Sequence, residues 1–276
     1  MKASALSDKA RSLSKKYNVT PNFIINHFFF DAVLWRLSLS RYNNMFVLKG
    51  GYLLSIQFGI LTRTTNDLDF LVNFNQFSKE RVETITNEIL KLELDDAVAF
   101  ELKGIEKMKD SNGFRIKILS KLENIKQLIS IDIATGDVIT PGIKTLNYHT
   151  IIHKKPIRIK TYPYETIIAE KLQTIVYLGT ASSRIKDLFD LYVIGKIVFN
   201  ELDNQVVQLA INETFTKRNT PIDTLEMIDI LIEIQNSVLQ KNLWINYEKK
   251  NCFASGIDFQ DLMSLIIIIV KRVYNM

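Results

Sequence analysis

Phe46-Val47-Leu48-Lys49-Gly50-Gly51-Tyr52-Leu53-Leu54 is followed, with fifteen residues intervening after Gly51, by Asp67-Leu68-Asp69-Phe70. The first stretch reads as a short apolar strand, Met45–Leu48, that runs into Lys49-Gly50-Gly51 and opens a helix from Tyr52 to Phe58. The second, from Leu68 to Asn73, reads as a strand. Side chains alternate along a strand, so Asp67 and Asp69 share one side while Leu68 and Phe70 take the other. Two carboxylates on adjacent same-side positions repel. A divalent cation offsets that cost, because hard cations take oxygen ligands and magnesium commonly uses one or two carboxylates plus substrate phosphates. The plain alternative is a pair of solvated surface aspartates, since Asp-x-Asp is a short and common pattern. Glycines where a strand gives way to a helix let phosphate oxygens approach the backbone, and the amides and dipole of a helix start attract anions. The alternative there is a tight turn that needs glycine's permissive dihedrals.

A third element is Ile129-Ser130-Ile131-Asp132-Ile133. Its isoleucines share one face and leave Asp132 on the other. If this strand lies beside that of Asp67 and Asp69, three carboxylates converge. Such a set can hold two cations that stabilise the attacking and leaving oxygens of a phosphoryl transfer. Asp132 is then the group best placed to help activate an incoming hydroxyl. An aspartate on the exposed face of a one-sided sheet is the alternative.

Around this centre, residues 4 to 17 have helical spacing, and Thr20-Pro21 reads as an N-cap and first helical residue of a helix reaching about Ser40. Phe23, His27, Val33, Leu34 and Leu37 are its expected inward residues. A helix is expected over Ser78–Glu93, then strands at Ala97–Lys103, Phe114–Ser120, Gln127–Ile133, Leu146–Ile152 and Ile157–Lys160. From Tyr164 the pattern is helical, with segments at 164–179, 183–199, 201–218, 222–242 and 258–275. The expected organisation is an α+β core over 1–162 with a helical C-terminal lobe over 163–276, divided near Pro163.

The 276 residues are 47% hydrophobic and 24% charged, with few glycines and prolines, which excludes collagen-like and low-complexity chains. The single cysteine, Cys252, excludes an intrachain disulfide framework and a cysteine-based zinc cluster. Three histidines are too few for a histidine-rich metal site. Met1–Lys9 lacks the apolar run of a signal peptide, and Leu262–Val270 is too short to span a bilayer, so a cytoplasmic protein with no membrane partner is expected. The net charge of +5 is compatible with a polyanionic partner. His153–Lys160 and the group Lys103, Lys107, Lys109, Arg115 and Lys117 are the basic stretches able to track a nucleic-acid backbone, or, for the first, a solvated edge strand guarded by lysines. The clustered Phe28, Phe29, Phe30 and Trp35 indicate core rather than base stacking.

Together these elements resemble the nucleotidyltransferase superfamily typified by DNA polymerase β, with its Gly-Gly or Gly-Ser, Asp-x-Asp and later third acid. The wider string from Phe46 to Leu54, with Gly59-Ile60, Arg63-Thr64-Thr65 and Asp67-Leu68-Asp69, resembles the AbiEii-type toxins of bacterial toxin–antitoxin and abortive-infection systems. Tyr162-Pro163-Tyr164-Glu165-Thr166-Ile167-Ile168-Ala169-Glu170-Lys171-Leu172 and Arg184-Ile185-Lys186-Asp187-Leu188-Phe189-Asp190-Leu191 match that family's later motifs. The resemblance covers roughly residues 5 to 195, and beyond about residue 200 the chain matches only as a generic helical region. One departure is Tyr52 after Gly51, where many superfamily members have serine or threonine, so phosphate contact would rest on backbone amides.

The resemblance implies a nucleotidyltransferase-fold core, a mixed sheet flanked by helices, that transfers a nucleoside monophosphate from an NTP to a hydroxyl acceptor. Asp67, Asp69 and Asp132 are the implied ligands of Mg2+ or Mn2+. Gly50, Gly51 and Arg63 are the implied NTP-phosphate contacts, Arg63 as a bidentate clamp. Lys49 is a weaker candidate. The family motifs place Lys171 in the active site, bearing on triphosphate charge, and make Asp187 a functional acid. Asp190 is left between holding Lys186 and holding the neighbouring helix. The ordinary alternatives are a solvated helix lysine and a surface ion-pair ladder along one helix face. RNA, foremost the tRNA 3′ end, is the implied acceptor, and a cognate antitoxin an implied partner. Other readings remain: a protein-modifying or kinase-like enzyme with the same triad, a glycosyltransferase using Asp-x-Asp, and a non-catalytic RNA- or NTP-binding module.

Overall fold

The computed structural model describes residues 1–59, 63, 65–74, 76–109, 112–150, 156–220 and 223–276. It divides into two compact units, one of Met1–Gly136 with Lys144–Thr161, the other of Asp137–Ile143 with Tyr162–Met276. The second unit thus includes a short segment that lies upstream of Pro163 in sequence.

The first unit begins with α1 (Ala3–Tyr17) and α2 (Pro21–Leu39), followed by β1 (Phe46–Lys49), α3 (Gly50–Phe58), β2 (Asp67–Val72) and α4 (Lys79–Leu90). The strands β3 (Ala99–Lys107), β4 (Gly113–Leu122), β5 (Ile125–Ala134), β6 (Lys144–His149) and β7 (Pro156–Thr161) follow. Thr20 caps α2 by accepting from the Phe23 amide, and Ser78 caps α4 by accepting from that of Arg81. Among the described residues the strands form one mixed sheet in the order β3-β4-β5-β2-β1-β7-β6. β2 pairs parallel with β5 and antiparallel with β1, and β1 pairs parallel with β7.

One face of this sheet is apolar and covered. Phe70, Ile116 and Ile131 meet Val33 and Leu37 of α2 and Thr86, Ile89 and Leu90 of α4. The expected inward residues of α2 are all buried, as are Phe28, Phe29 and Phe30, whereas Trp35 is only half-buried. A helix buried on this many sides also buries polar groups, and each has a partner or is neutral. Arg36 forks onto Asp96 at 2.6 and 2.9 Å, and Asp31 accepts from the Tyr52 hydroxyl at 2.7 Å. Apolar residues alternate with polar ones on β2, β4 and β5, so the opposite face of these strands carries Asp67, Asp69, Arg115, Lys117 and Asp132.

The structure corrects one alternative for the basic strand. β7 is not an edge, because β6 pairs with it antiparallel over six positions and becomes the edge itself. Arg158 is exposed on β7, whereas Ile151–Lys155, including His153, lie outside the described residues.

The second unit contains α5 (Tyr164–Leu178), α6 (Ile185–Ile197), α7 (Asn204–Lys217), α8 (Thr224–Asn236), α9 (Val238–Lys250) and α10 (Phe259–Val273). The single helix expected over 222–242 is two. Ser237 adopts an extended conformation and its side chain accepts from the Gln240 amide, so α8 stops and α9 starts at that residue. α9 contributes Trp244 and Tyr247 to an aromatic cluster with Phe189 and Phe253. The apolar run near the C-terminus forms most of α10, buried except for Ile268 and the half-buried Ser264 and Leu265. No described helix is long and apolar enough to cross a membrane.

Candidate active site

The site grows from the β1–α3 junction. Lys49 is extended, Gly50 has φ +68°, and α3 starts there without a cap from the Lys49 side chain; the first amides of a helix have no partner within it. A positive φ is costly for a residue with a β-carbon, which explains the first glycine. Close approach explains both. A β-carbon on Gly50 would fall 2.7 Å from Cγ of Asp69, and one on Gly51 would fall 2.5 Å from Cζ of Arg63.

Arg63, itself buried, therefore lays its guanidinium against the N-terminus of α3. That end of a helix carries partial positive charge. A cation placed against it gains nothing from the dipole, but the two together suit an anion. Lys49 adds to this positive side. It stands opposite Asp69 across the β1–β2 pair, and its charge acts on that carboxyl.

The acids converge because β5 lies beside β2. The parallel β2–β5 register sets Asp69 opposite Asp132. Asp67, Asp69 and Asp132 each offer a carboxylate oxygen within 4.8 Å of the others. Asp132 is buried, and Asp67 and Asp69 keep partial access to solvent. Burial first, then the Asp67 and Asp132 charges, push the Asp69 carboxyl up to about 7, against the opposing pull of Lys49 and Arg63. Three hard oxygen donors at this spacing suit a divalent cation such as magnesium, and a cation would remove the repulsion that raises Asp69.

Two neighbours of the triad were not singled out from sequence for these positions. The Thr65 hydroxyl donates to Oδ1 of Asp67 at 2.9 Å. Arg115, counted from sequence among a group of surface basic residues, forks onto Asp132. Only the β4–β5 register, which sets Arg115 opposite Asp132, reveals that pairing. Much of the remaining basic group is neutralised locally: Lys103 pairs with Glu101 and Lys117 with Glu106.

Lys171 and Asp187 lie in the second unit. Lys171, on α5, places Nζ 2.6 Å from Asp187 and 2.6 Å from Asp190, both on α6, and Arg184 Nε donates to Asp187 at 2.6 Å. Asp190 thus holds the neighbouring helix rather than Lys186. Burial alone would raise the Asp187 carboxyl, but the Lys171 ammonium and the Arg184 guanidinium outweigh it and hold it at about 2. Lys171 and both acids are buried while Arg184 is exposed, so this is not the solvated ion-pair ladder that the spacing also permits.

Residues 32–254 match the family model described as nucleotidyl transferase AbiEii toxin, type IV TA system. The chain belongs to the AbiEii nucleotidyltransferase toxin family. The match spans the β1–α3 junction, the acidic triad and the Lys171–Asp187 pair. It extends through α9, well past the point where the sequence resemblance faded into generic helices. As an AbiEii-family member the chain is a nucleotidyltransferase of a toxin–antitoxin system, and membership implies an NTP substrate and an antitoxin partner. A solved structure described as a candidate nucleotidyltransferase from H. pylori shares the fold. It is 15% identical with a TM-score of 0.51, covering 93% of this chain and 96% of that one. JHP933 from Helicobacter pylori is 16% identical with a TM-score of 0.47, covering 91% of each chain. No curated protein is matched.

Proposed function

We propose that the chain transfers a nucleoside monophosphate from an NTP to a hydroxyl of RNA, with the tRNA 3′ end as the leading acceptor, and that the triad binds Mg2+ or Mn2+. The observation that carries the reading is the meeting of three carboxylates with a glycine-lined, arginine-backed helix N-terminus. The acceptor oxygen attacks the α-phosphorus, the bond to the bridging oxygen breaks, and pyrophosphate leaves. Bound divalent cations would neutralise the phosphates and the developing charge on the attacking and leaving oxygens.

Asp67 and Asp69 hold the cation side of the site. Asp132 would bind the acceptor-side cation and assist removal of the hydroxyl proton. The amides at Gly50 and Gly51 and the Arg63 guanidinium take the triphosphate oxygens. Such catalysis is mostly positional and electrostatic. Lys171 is assigned to triphosphate charge through the family motif, and its ammonium is held between the Asp187 and Asp190 carboxylates. Asp187 then positions Lys171. RNA as acceptor draws support from the family and from the net charge of +5.

The test is incubation of the protein with each labelled NTP, magnesium and total cellular RNA. Label on RNA is expected, and Asp69→Ala is expected to abolish both transfer and growth inhibition. Label on protein instead would favour a protein-modifying enzyme with the same triad, and a fully toxic Asp69→Ala variant would overturn the metal assignment.

A further inference from the structure

Arg115 has no part in the roles given above, yet it forks onto one of the triad's carboxylates. Its Nε donates to Oδ1 of Asp132 at 2.7 Å and its Nη2 to Oδ2 at 2.6 Å, while Nη2 also lies 4.0 Å from Oδ2 of Asp67. The guanidinium therefore occupies the Asp67–Asp132 edge of a set whose oxygens lie within 4.8 Å of one another. Lys117, two residues along the same face of β4, pairs with Glu106 on β3 instead. The Asp132 carboxylate is the buried member of the fork, at 10% side-chain exposure, and Arg115 the open one, at 44%. A guanidinium so exposed can leave the carboxylate for solvent, whereas Asp132 is fixed by the strand beneath it.

We propose that Arg115 is a resident counter-ion of the triad. It holds Asp132 in position in the ion-free protein and competes with a divalent cation for that carboxylate. The inference rests on the triad being a cation site and adds a positioning residue to it. A two-point fork gives a carboxylate both charge and direction, so Asp132 is kept oriented while the site waits. The same fork lowers cation affinity, because the binding-competent arrangement is only part of the population.

The experiment is calorimetric titration of the full chain with Mn2+, in the wild type and in Arg115→Met, Arg115→Lys and Lys117→Met. Arg115→Met is expected to bind Mn2+ roughly tenfold more tightly, the scale of one charge-assisted hydrogen bond removed from the competing state. Arg115→Lys, which keeps the charge but loses the fork, is expected to fall between. Lys117→Met controls for charge alone and is expected to stay within about twofold of wild type. Equal or weaker binding by Arg115→Met overturns the proposal and leaves the cation site standing. If no form binds Mn2+, the cation-site reading fails and the proposal with it.

A second measurement needs no variant. In wild-type protein labelled with 15N at arginine Nε, the Arg115 Nε–H is expected to exchange slowly with water without Mg2+ and rapidly when Mg2+ saturates the site. Persistence of the protected signal at saturation also overturns the proposal.

Discussion

Gly50 and Asp69 are in such close register that a single added carbon would collide with the carboxylate side chain. A β-carbon at Gly50 would lie 2.7 Å from Cγ and 2.9 Å from Cβ of Asp69. The glycine thus serves two ends: it lets α3 start at φ +68°, and it leaves room for the acid to stand in the triad. Gly50→Ala is expected to cost about 1–2 kcal/mol through the left-handed backbone alone. Its larger effect is expected on the site, because the Asp69 side chain must rotate away. Urea denaturation and Mn2+ titration together check this. Cation binding at wild-type strength in a folded Gly50→Ala variant would show that Asp69 is not a ligand.

Lys171 lies between two buried carboxylates, so its loss tests stability and chemistry at once. Lys171→Met withdraws the ammonium from both Asp187 and Asp190 and is expected to destabilise the protein by about 3–5 kcal/mol. Adding Asp190→Asn removes one of the charges left behind and is expected to restore part of that loss. Denaturation midpoints measure both steps, and a single variant as stable as wild type would contradict the ion cluster. Transfer assays on the double variant then separate the roles. Activity that stays lost in a restabilised protein assigns Lys171 to the reaction, and activity that returns assigns it to structure.

Asp31 and His27, one turn apart on α2 and both packed against Tyr52, give stability opposite pH dependences. Burial raises the Asp31 carboxyl from 3.8 to about 7, against the hydrogen bond from the Tyr52 hydroxyl that lowers it. A raised acid favours the folded state below its unfolded value, and that contribution declines as pH climbs from about 4 to about 7. Burial lowers His27 from 6.5 to about 3, so its contribution is present above pH 6.5 and is lost as pH falls toward 3. Asp31→Asn removes only the first effect. The stability difference between wild type and this variant, from urea midpoints between pH 4 and 8, is expected to shift against wild type up to about pH 7 and then level. A difference that does not change with pH would refute the buried-acid assignment.

Local chemistry made most of the elements legible. Thr20-Pro21 and Ser78 announce helix starts because their side chains, or a missing amide in the case of proline, solve the problem of open N-terminal donors. Alternation placed Asp67 and Asp69 together and turned Asp132 away from its isoleucines. The break at Ser237 was hidden because apolar spacing continues through Ile234 and Val238, and only the capping bond shows where one helix yields to the next.

The sequence by itself determined which face each acid takes and where the glycines must be, because these follow from periodicities of two and 3.6 and from spacing along one chain; its motifs carried the family as a resemblance. The tertiary structure alone decided who stands beside whom. Asp132 meets Asp69, Arg115 grips Asp132, Arg63 lies on Gly51, and Lys171 is shared by Asp187 and Asp190. Those partnerships depend on strand order, register and helix packing between segments far apart in the chain, and no local rule fixes the register of one strand against another until the whole apolar face is buried.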